Sequence, residues 1–477
     1  MPLMYRMQVL IPMLALLAGL LIHSSALLNH DVAWFAWGAR EWLHGLVIGK
    51  DITDPNFPLA FLIYVPAAML AGPLGFGLAV KAWLLLLAAL IIALAWRDVA
   101  RGQRAAVFGT LAVFVVLGWP REFAQREQFA MLLVLPYVLP AERRGWRAAP
   151  AGILAGIGFA MKPHFLIAWV MLEINRKVFR TEQVALVCTG AIYALSLATV
   201  FPEFTFGLLP STLEVYGAFN RLDAAHSVVL PAGFGLLTLG LAFRAQDRLA
   251  TALALAALGF GIAGALQMKF YAYQFLPAWG FATVALAALV ANRDKFIRNV
   301  AIASLVFAVV HQARPAAAWW SDVEQRKIMQ PRLSAALQGA RTFTVIAVHP
   351  YPAFPTAVRA EEESGIRYIG SASSHWFLPA AAKGNVRAVR LAREHAMRDI
   401  LKHPGVVLVD TQWTRHTRLP STFDGLAFLL DDVSFAGQWS AYRMAGSVGG
   451  FLVFRRNAGT SVPSTAGSSP KPSQPRN

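Results

Sequence analysis

The polar stretch that follows the first apolar segment concentrates the residues able to do chemistry. It reads Asn29-His30-Asp31-Val32-Ala33-Trp34-Phe35-Ala36-Trp37-Gly38-Ala39-Arg40-Glu41-Trp42 and leads on to Asp51, Asp54 and Pro55-Asn56-Phe57-Pro58-Leu59. A carboxylate at the mouth of an apolar helix is costly against lipid, so such a group usually faces a watery cavity with a task to perform. Three later polar interruptions add to it: Trp119-Pro120-Arg121-Glu122-Phe123-Ala124-Gln125-Arg126-Glu127-Gln128, Met161-Lys162-Pro163-His164-Phe165, and Gln267-Met268-Lys269-Phe270-Tyr271-Ala272-Tyr273-Gln274-Phe275-Leu276-Pro277. Together they offer carboxylates, fixed cations and aromatics at one depth. Cations in that position suit a lipid phosphate, because Arg and Lys pair strongly with phosphate oxygens. Aromatics such as Trp34, Trp37, Tyr271 and Tyr273 suit sugar faces and the interface itself.

Each group also has a purely structural reading. Asp31 can be an exposed residue after a helix, and Lys162 can snorkel to the interface. Arg126 and Glu127 can be an ion pair that only holds the fold. Trp34, Trp37 and Trp42 fit an aromatic belt as well as a binding platform. His164 and His311 carry little signal alone. No His, Cys or Asp spacing marks a metal site, and neither a Gly-rich phosphate loop nor a Ser-His-Asp arrangement is present.

Membrane-spanning helices must position these groups. Hydrophobic residues make up 57% of the 477 residues and charged residues 14%, against about 25% charged in soluble domains. Mean hydropathy is +0.50. Apolar runs fall near 8–28, 76–96, 105–118, 128–140, 149–161, 164–174, 182–201, 228–243, 249–267, 275–291 and 299–313. The first is long and lacks a clear small-residue cleavage site before Asn29, which predicts an uncleaved first helix. The net charge of +17 does not indicate nucleic-acid binding, because the basic residues collect in short loops. Arg97/Arg101/Arg104, Arg143/Arg144/Arg147, Arg176/Lys177/Arg180, Arg244/Arg248 and Arg293/Lys295/Arg298 share one side under the positive-inside rule, with a cytoplasmic N-terminus. The acids Asp31, Glu41, Asp51, Asp54, Glu122, Glu127, Glu203, Glu214 and Asp223 face outward. The short, proline-bounded segment Pro58–Pro73 fits a juxtamembrane or re-entrant helix, which leaves about eleven spans. Cys188 is the single cysteine, so no intramolecular disulfide forms.

Composition divides the chain into a membrane region, 1–313, an outer region, 314–457, and a Ser-, Pro- and Gly-rich tail, 458–477, expected to be disordered. In the outer region Thr342–Val348, Val406–Val409, Leu426–Leu430 and Phe451–Phe454 read as strands and Asn385–Leu401 as a helix, which predicts a small α/β domain. Tyr351, Trp376, Trp413 and Trp439 fit glycan contacts or ordinary core packing.

The arrangement resembles the GT-C superfamily of integral membrane glycosyltransferases, particularly bacterial members of the protein O-mannosyltransferase and lipid A aminoarabinose transferase group (glycosyltransferase family 39-like). Asp31 matches the acid of that family's first outer loop. Ala39-Arg40-Glu41-Trp42-Leu43-His44-Gly45 matches the stretch before a glycine, Phe57-Pro58-Leu59 the turn, and Leu74-Gly75 the end of the juxtamembrane helix. Gly152-Ile153-Leu154-Ala155-Gly156 with Met161-Lys162-Pro163 resembles a later helix ending in a lysine, and Tyr273-Gln274-Phe275-Leu276-Pro277 a late outer loop. Many relatives carry Asp-Glu where this chain has Asp31-Val32, which leaves the second acid open among Glu122, Glu127, Asp51 and Asp54.

The resemblance implies transfer, with inversion, of a sugar from a polyprenyl-phosphate-linked donor to a lipid, glycan or protein acceptor on the periplasmic face of a bacterial inner membrane. Asp31 would be the general base. Lys162, Arg126, Lys269 and His164 would meet the donor phosphate, and the lipid tail would lie in a groove walled in part by Pro58–Pro73. The superfamily allows a divalent cation, which nothing in this sequence demands. A lipid or glycan flippase and an O-antigen ligase or polymerase are the rival readings. Transporters often show internal repeats with broken helices, and none is seen here.

Overall fold

The computed structural model describes residues 2–139, 145–174, 176, 180–349, 353–413, 419–420 and 422–457; the tail 458–477 lies outside them. Most of the chain is helical. The membrane region holds α1 (Pro2–Ser24), α2 (His30–Leu43), α3 (Leu59–Leu62), α4 (Val65–Leu74), α5 (Phe76–Ala95), α6 (Arg104–Leu117), α7 (Arg126–Val138), α8 (Ala149–Ala160), α9 (Leu166–Ile174), α10 (Thr181–Thr199), α11 (Leu209–Val215), α12 (Val229–Ala245), α13 (Arg248–Leu266), α14 (Leu276–Leu289) and α15 (Lys295–Leu337). Among the described residues six helices are long and apolar enough to cross a membrane: those within Phe76–Asp98, Thr181–Thr199, Leu222–Ala245, Arg248–Leu266, Ala272–Leu289 and Lys295–Trp320. Exposed leucines and isoleucines such as Leu14, Leu17, Leu21, Ile192 and Leu195 cover the outward faces of α1 and α10, a surface that water would not tolerate at this extent.

Lipid gives helices little hydrophobic reason to associate, so close contact depends on small residues. Gly156 supplies one such contact: a Cβ there would stand 2.7 Å from the Thr189 Cβ on α10. The expected segment Pro58–Pro73 is two short helices, α3 and α4, packed beside α2 and α5.

The outer region carries a five-stranded mixed sheet. Its strands are β1 (Thr342–Ile346), β2 (Arg367–Tyr368), β3 (Val406–Asp410), β4 (Tyr442–Val448) and β5 (Phe451–Arg456), in the order β2-β1-β3-β5-β4. β1 pairs in parallel with β2 and β3, while β5 runs antiparallel to β3 and β4. The helices α16 (Ala353–Ser364), α17 (Leu378–Ala381), α18 (Val386–Leu401), α19 (Gly425–Leu430) and α20 (Val433–Trp439) complete it.

Three sequence expectations need correction. Leu426–Leu430 is helix, not strand: the Asp424 side chain caps it by accepting the backbone N–H groups of Leu426 and Ala427 at 2.8 and 3.1 Å. The compositional change at Arg314 is not an element boundary, because α15 continues through it to Leu337. Strands β2 and β4 were not anticipated; β2 has two residues and five of the seven in β4 are exposed, so neither shows a buried alternation.

The outer region is pinned to the membrane region beside the first loop. Ser371 O accepts the Thr53 N–H at 2.7 Å and the Thr53 hydroxyl at 2.9 Å. Arg40 pairs with Glu361 at 2.8 Å, and Arg367 with Glu41 at 3.2 Å. The Glu362 carboxylate accepts the Phe76 N–H at the start of α5.

Candidate functional site

Asp31 lies in the first turn of α2. Asn29 caps that helix, its Oδ1 accepting the Asp31 N–H at 2.9 Å. The N-terminal end of a helix favours a carboxylate. The side chain is about a quarter exposed and stands 3.5 Å from His30 Nε2. Gln125 donates to Asp31 Oδ2 at 3.4 Å and to Glu122 Oε2 at 3.3 Å, while Asn29 Nδ2 donates to the same Glu122 oxygen at 2.9 Å. Two amides therefore tie Asp31 to Glu122. Burial, and secondarily the Asp31 charge, push the Glu122 carboxyl up to about 7.

Asp54 lies nearby but is committed to hydrogen bonds. Its Oδ2 accepts Trp34 Nε1 at 2.9 Å, and its Oδ1 accepts the Asn56 backbone N–H at 2.8 Å and Asn56 Nδ2 at 2.6 Å. Burial pushes this carboxyl up to about 6 against those bonds and the nearby Arg126 charge.

Behind these acids lies a buried charge network. Glu127 is fully buried; its Oε1 stands 2.5 Å from Lys162 Nζ and 3.5 Å from Arg126 Nε. Lys162 also donates to Gln267 Oε1 at 2.9 Å. The Arg126 guanidinium lies over the Phe35 ring at 4.7 Å, and its Nη1 has no hydrogen-bond partner among the described residues. Lys269 Nζ sits over the Tyr216 ring, 2.7 Å from its centroid.

Two cavities meet here. One, of about 420 Å³, is lined by Asp31, Asp54, Glu122, Asn56, Arg221 and Tyr271, and roofed by His349, Ser373, Ser374 and Trp376 from the outer region. The other, of about 290 Å³, is lined by Lys162, His164 and Gln267 together with the apolar Leu209, Leu213 and Leu266. Arg126, Tyr216, Lys269 and Tyr273 line both. The carboxylates thus line only the first chamber, together with Arg221; Lys162 and His164 line only the second, and Arg126 and Lys269 stand on the shared wall. Leu213 and Leu266 are exposed, so the cationic chamber borders the apolar surface of the helices. This arrangement can hold a phosphate attached to an apolar chain and bring a proton acceptor to the side away from that chain.

The structure sorts the candidates. Asp31, Asp54, Glu122, Arg126, Lys162, His164, Lys269, Tyr271 and Tyr273 come together. Glu127 lines neither chamber: it serves the network beneath them, which removes it as a second acid at a substrate. Asp51 is also removed, since its carboxylate caps the Val47 N–H at 2.9 Å away from both chambers. Trp34 and Trp37 are 1% exposed and pack on each other and on Phe354, so they are core and not substrate contacts. No residue of Pro58–Pro73 lines either chamber, so the expected wall of a lipid groove is not found there.

Sequence reasoning missed Asn29, Gln125, Tyr216 and Arg221 as site residues. Asn29 carried a usable signal, an N-cap residue directly before a helix. The other three are brought in only by tertiary packing. Among the described residues no group of three or more His, Cys, Asp and Glu side chains is arranged to hold a metal ion, so the divalent cation allowed by the family resemblance finds no ligand set there. Comparison with protein-family models, with curated proteins and with solved structures finds no match to this chain.

Proposed function

We propose that this protein is a membrane-embedded glycosyltransferase that moves a sugar from a polyprenyl phosphate to a hydroxyl-bearing acceptor at the outer face of a bacterial inner membrane. The observation that carries the reading is the pair of contiguous chambers that share Arg126 and Lys269, one holding all the carboxylates and the other, free of carboxylates, opening beside apolar surface. Topology supports it. Spans formed by the six long helices and by α1, α6, α7, α8 and α9, about eleven in all, put the connections bearing Asp31, Glu122, Lys162, Tyr216 and Lys269 on one side with the sheet region. That side is the periplasm if the N-terminus is cytoplasmic.

In this reading the donor phosphate lies against Lys269, Arg126 and His164, with its prenyl chain leaving past Leu213 and Leu266. The acceptor oxygen attacks the anomeric carbon from the Asp31 side. The new carbon–oxygen bond forms as the bond to the phosphate oxygen breaks, and that oxygen leaves with the electron pair. The hydroxyl proton passes to Asp31. Configuration at the anomeric carbon inverts, and the cations stabilise the developing charge on the leaving oxygen.

A glycan and glycolipid profile of a deletion strain, complemented with wild type or Asp31→Asn, tests this. Wild type should restore a missing sugar that the variant, at equal membrane abundance, does not. Equal restoration by both would remove Asp31 as the base and bring the transporter reading forward.

A further inference from the structure

The roof of the carboxylate chamber is built where open α/β sheets bind ligands. β1 pairs with β2 on one side and β3 on the other, so the chain connections diverge at β1. Ligands of such sheets bind in the crevice outside the carboxyl ends of the strands at that divergence. The segments leaving the carboxyl ends of β1 and β2 contribute His349, and Ser373, Ser374 and Trp376, to the chamber. The second segment is held firmly. Ser371 N donates to Asp399 Oδ1 at 2.8 Å, Ser371 O accepts from Thr53, and His375 N donates to Ala347 O at 2.7 Å. Three of its buried polar atoms nevertheless have no hydrogen-bond partner among the described residues: Ser371 Oγ, His375 Nδ1 and Trp376 Nε1. Buried polar groups are nearly always satisfied, and of these three residues Trp376 alone lines the chamber, so its indole N–H is the group that calls for a partner there.

On the basis of the transferase reading, we propose that Ser373, Ser374 and Trp376 form the acceptor subsite and that the acceptor presents a saccharide ring. The chamber walls combine hydroxyl and amide groups (Ser373, Ser374, Asn56) with aromatic ones (Tyr216, Tyr271). A pyranose or furanose has the complementary make-up, a rim of hydroxyls around aliphatic C–H faces. An extended peptide bound by strand addition would need a strand edge to pair with, and no residue of the five strands lines the chamber. A lipid acceptor would call for long apolar side chains at the wall, and the leucines lie in the neighbouring chamber.

The test uses the full chain in nanodiscs and saturation-transfer difference NMR. The probes are the methyl glycosides of glucose, galactose, mannose and arabinose, a Ser/Thr-containing acetylated hexapeptide, and farnesyl phosphate. At least one glycoside should bind, and Trp376→Phe and the Ser373→Ala/Ser374→Ala pair should weaken it about three- to tenfold, as expected for one lost hydrogen bond or two. Farnesyl phosphate binding should be unchanged in those variants, which also shows that they fold, and should fall in Lys269→Met. Hexapeptide binding in place of glycosides, or glycoside binding indifferent to the loop variants, overturns the subsite. So does an absence of glycoside binding while farnesyl phosphate still binds through Lys269, an outcome that leaves the transferase reading intact. Failure of farnesyl phosphate itself to bind overturns both.

Discussion

Replacing Glu127 with Gln should be the most damaging conservative change in the membrane region. Glu127 is fully buried between Lys162 Nζ at 2.5 Å and Arg126 Nε at 3.5 Å, and Arg126 and Lys162 are themselves nearly inaccessible. The glutamine keeps the volume but leaves two cations without the carboxylate that lies between them. Removing one partner from a buried ion pair costs about 3–5 kcal/mol, because the remaining charge stays desolvated. Lys162→Met should cost less, since Arg126 and Glu127 keep each other. In the double variant the second lost charge compensates the first, giving a coupling of about 1–3 kcal/mol in the cycle. The measurement is unfolding free energy in bicelles by denaturant titration or steric trapping. Farnesyl phosphate should stabilise Glu127→Gln more than wild type, because it returns a negative charge near the uncovered cations. A cost for Glu127→Gln within about 0.5 kcal/mol, the range of neutral surface changes, would refute the reasoning. Additive single costs in the double variant would refute it as well.

Asp31→Asn should lower transfer by about 10²–10⁴-fold at unchanged membrane abundance, the usual weight of a general base; turnover of a polyprenyl-phosphate sugar by membranes checks it. Lys269→Met should lower the rate about 10²–10³-fold while Asp31-side glycoside binding persists, as for loss of one charge-stabilising group at a leaving oxygen. Burial raises Asp54 to about 6 from an ordinary 3.8, so between those pH values the folded protein holds a proton that the unfolded chain lacks. The Asp54 contribution to stability should therefore fall as pH rises through that window, by roughly 3 kcal/mol at most. Asp54→Asn should lessen that slope in thermal unfolding followed from pH 4 to about 8 and leave the share of Glu122, whose carboxyl burial raises from 4.5 to about 7. Glu41→Gln, which strips the carboxylate shared by Arg40 and Arg367, should loosen the outer region and raise amide hydrogen exchange over residues 366–371.

Much of the membrane region was legible because its signals are local. An apolar run declares a helix whatever it packs against, and a carboxylate at a helix mouth declares a polar environment. Asp31, Lys162 and Lys269 were found that way. What failed was every inference that depended on depth within the fold. Glu127 and Glu122 are five residues apart in one polar stretch, yet Glu127 points into the charge network and Glu122 onto a cavity. Trp34 and Trp37 look like interface aromatics in sequence, but Phe354 from the outer region covers them. The amides of Asn29 and Gln125 lie 96 positions apart and meet at 3.1 Å, a proximity that no spacing rule encodes.

Backbone strain marks the two connections that carry Glu122 and Lys269. Trp119 and Ala124 flank Glu122 with φ of +59° and +67°, and Met268 and Phe270 flank Lys269 with +54° and +52°. A non-glycine residue there costs on the order of 1–3 kcal/mol and persists only where its surroundings over-determine it. Those surroundings are present. Ala124 is held by the Tyr64 hydroxyl on its carbonyl at 2.7 Å and by Gln128 Oε1 on its N–H at 2.7 Å. Met268 O accepts the Arg221 N–H at 2.7 Å, and its own N–H reaches Ala265 O at 3.0 Å. The strain is thus held by hydrogen bonds to the adjoining helices and to Tyr64 and Arg221, and it accompanies the placement of Glu122 and Lys269 on the carboxylate chamber. Met268→Gly removes the strain without removing a contact that the network uses. It should therefore leave the fold as stable or more so, yet weaken farnesyl phosphate binding by freeing Lys269 from its place over Tyr216. An increase in stability with unchanged binding would show that the left-handed turn merely tolerates strain and does not aim the lysine.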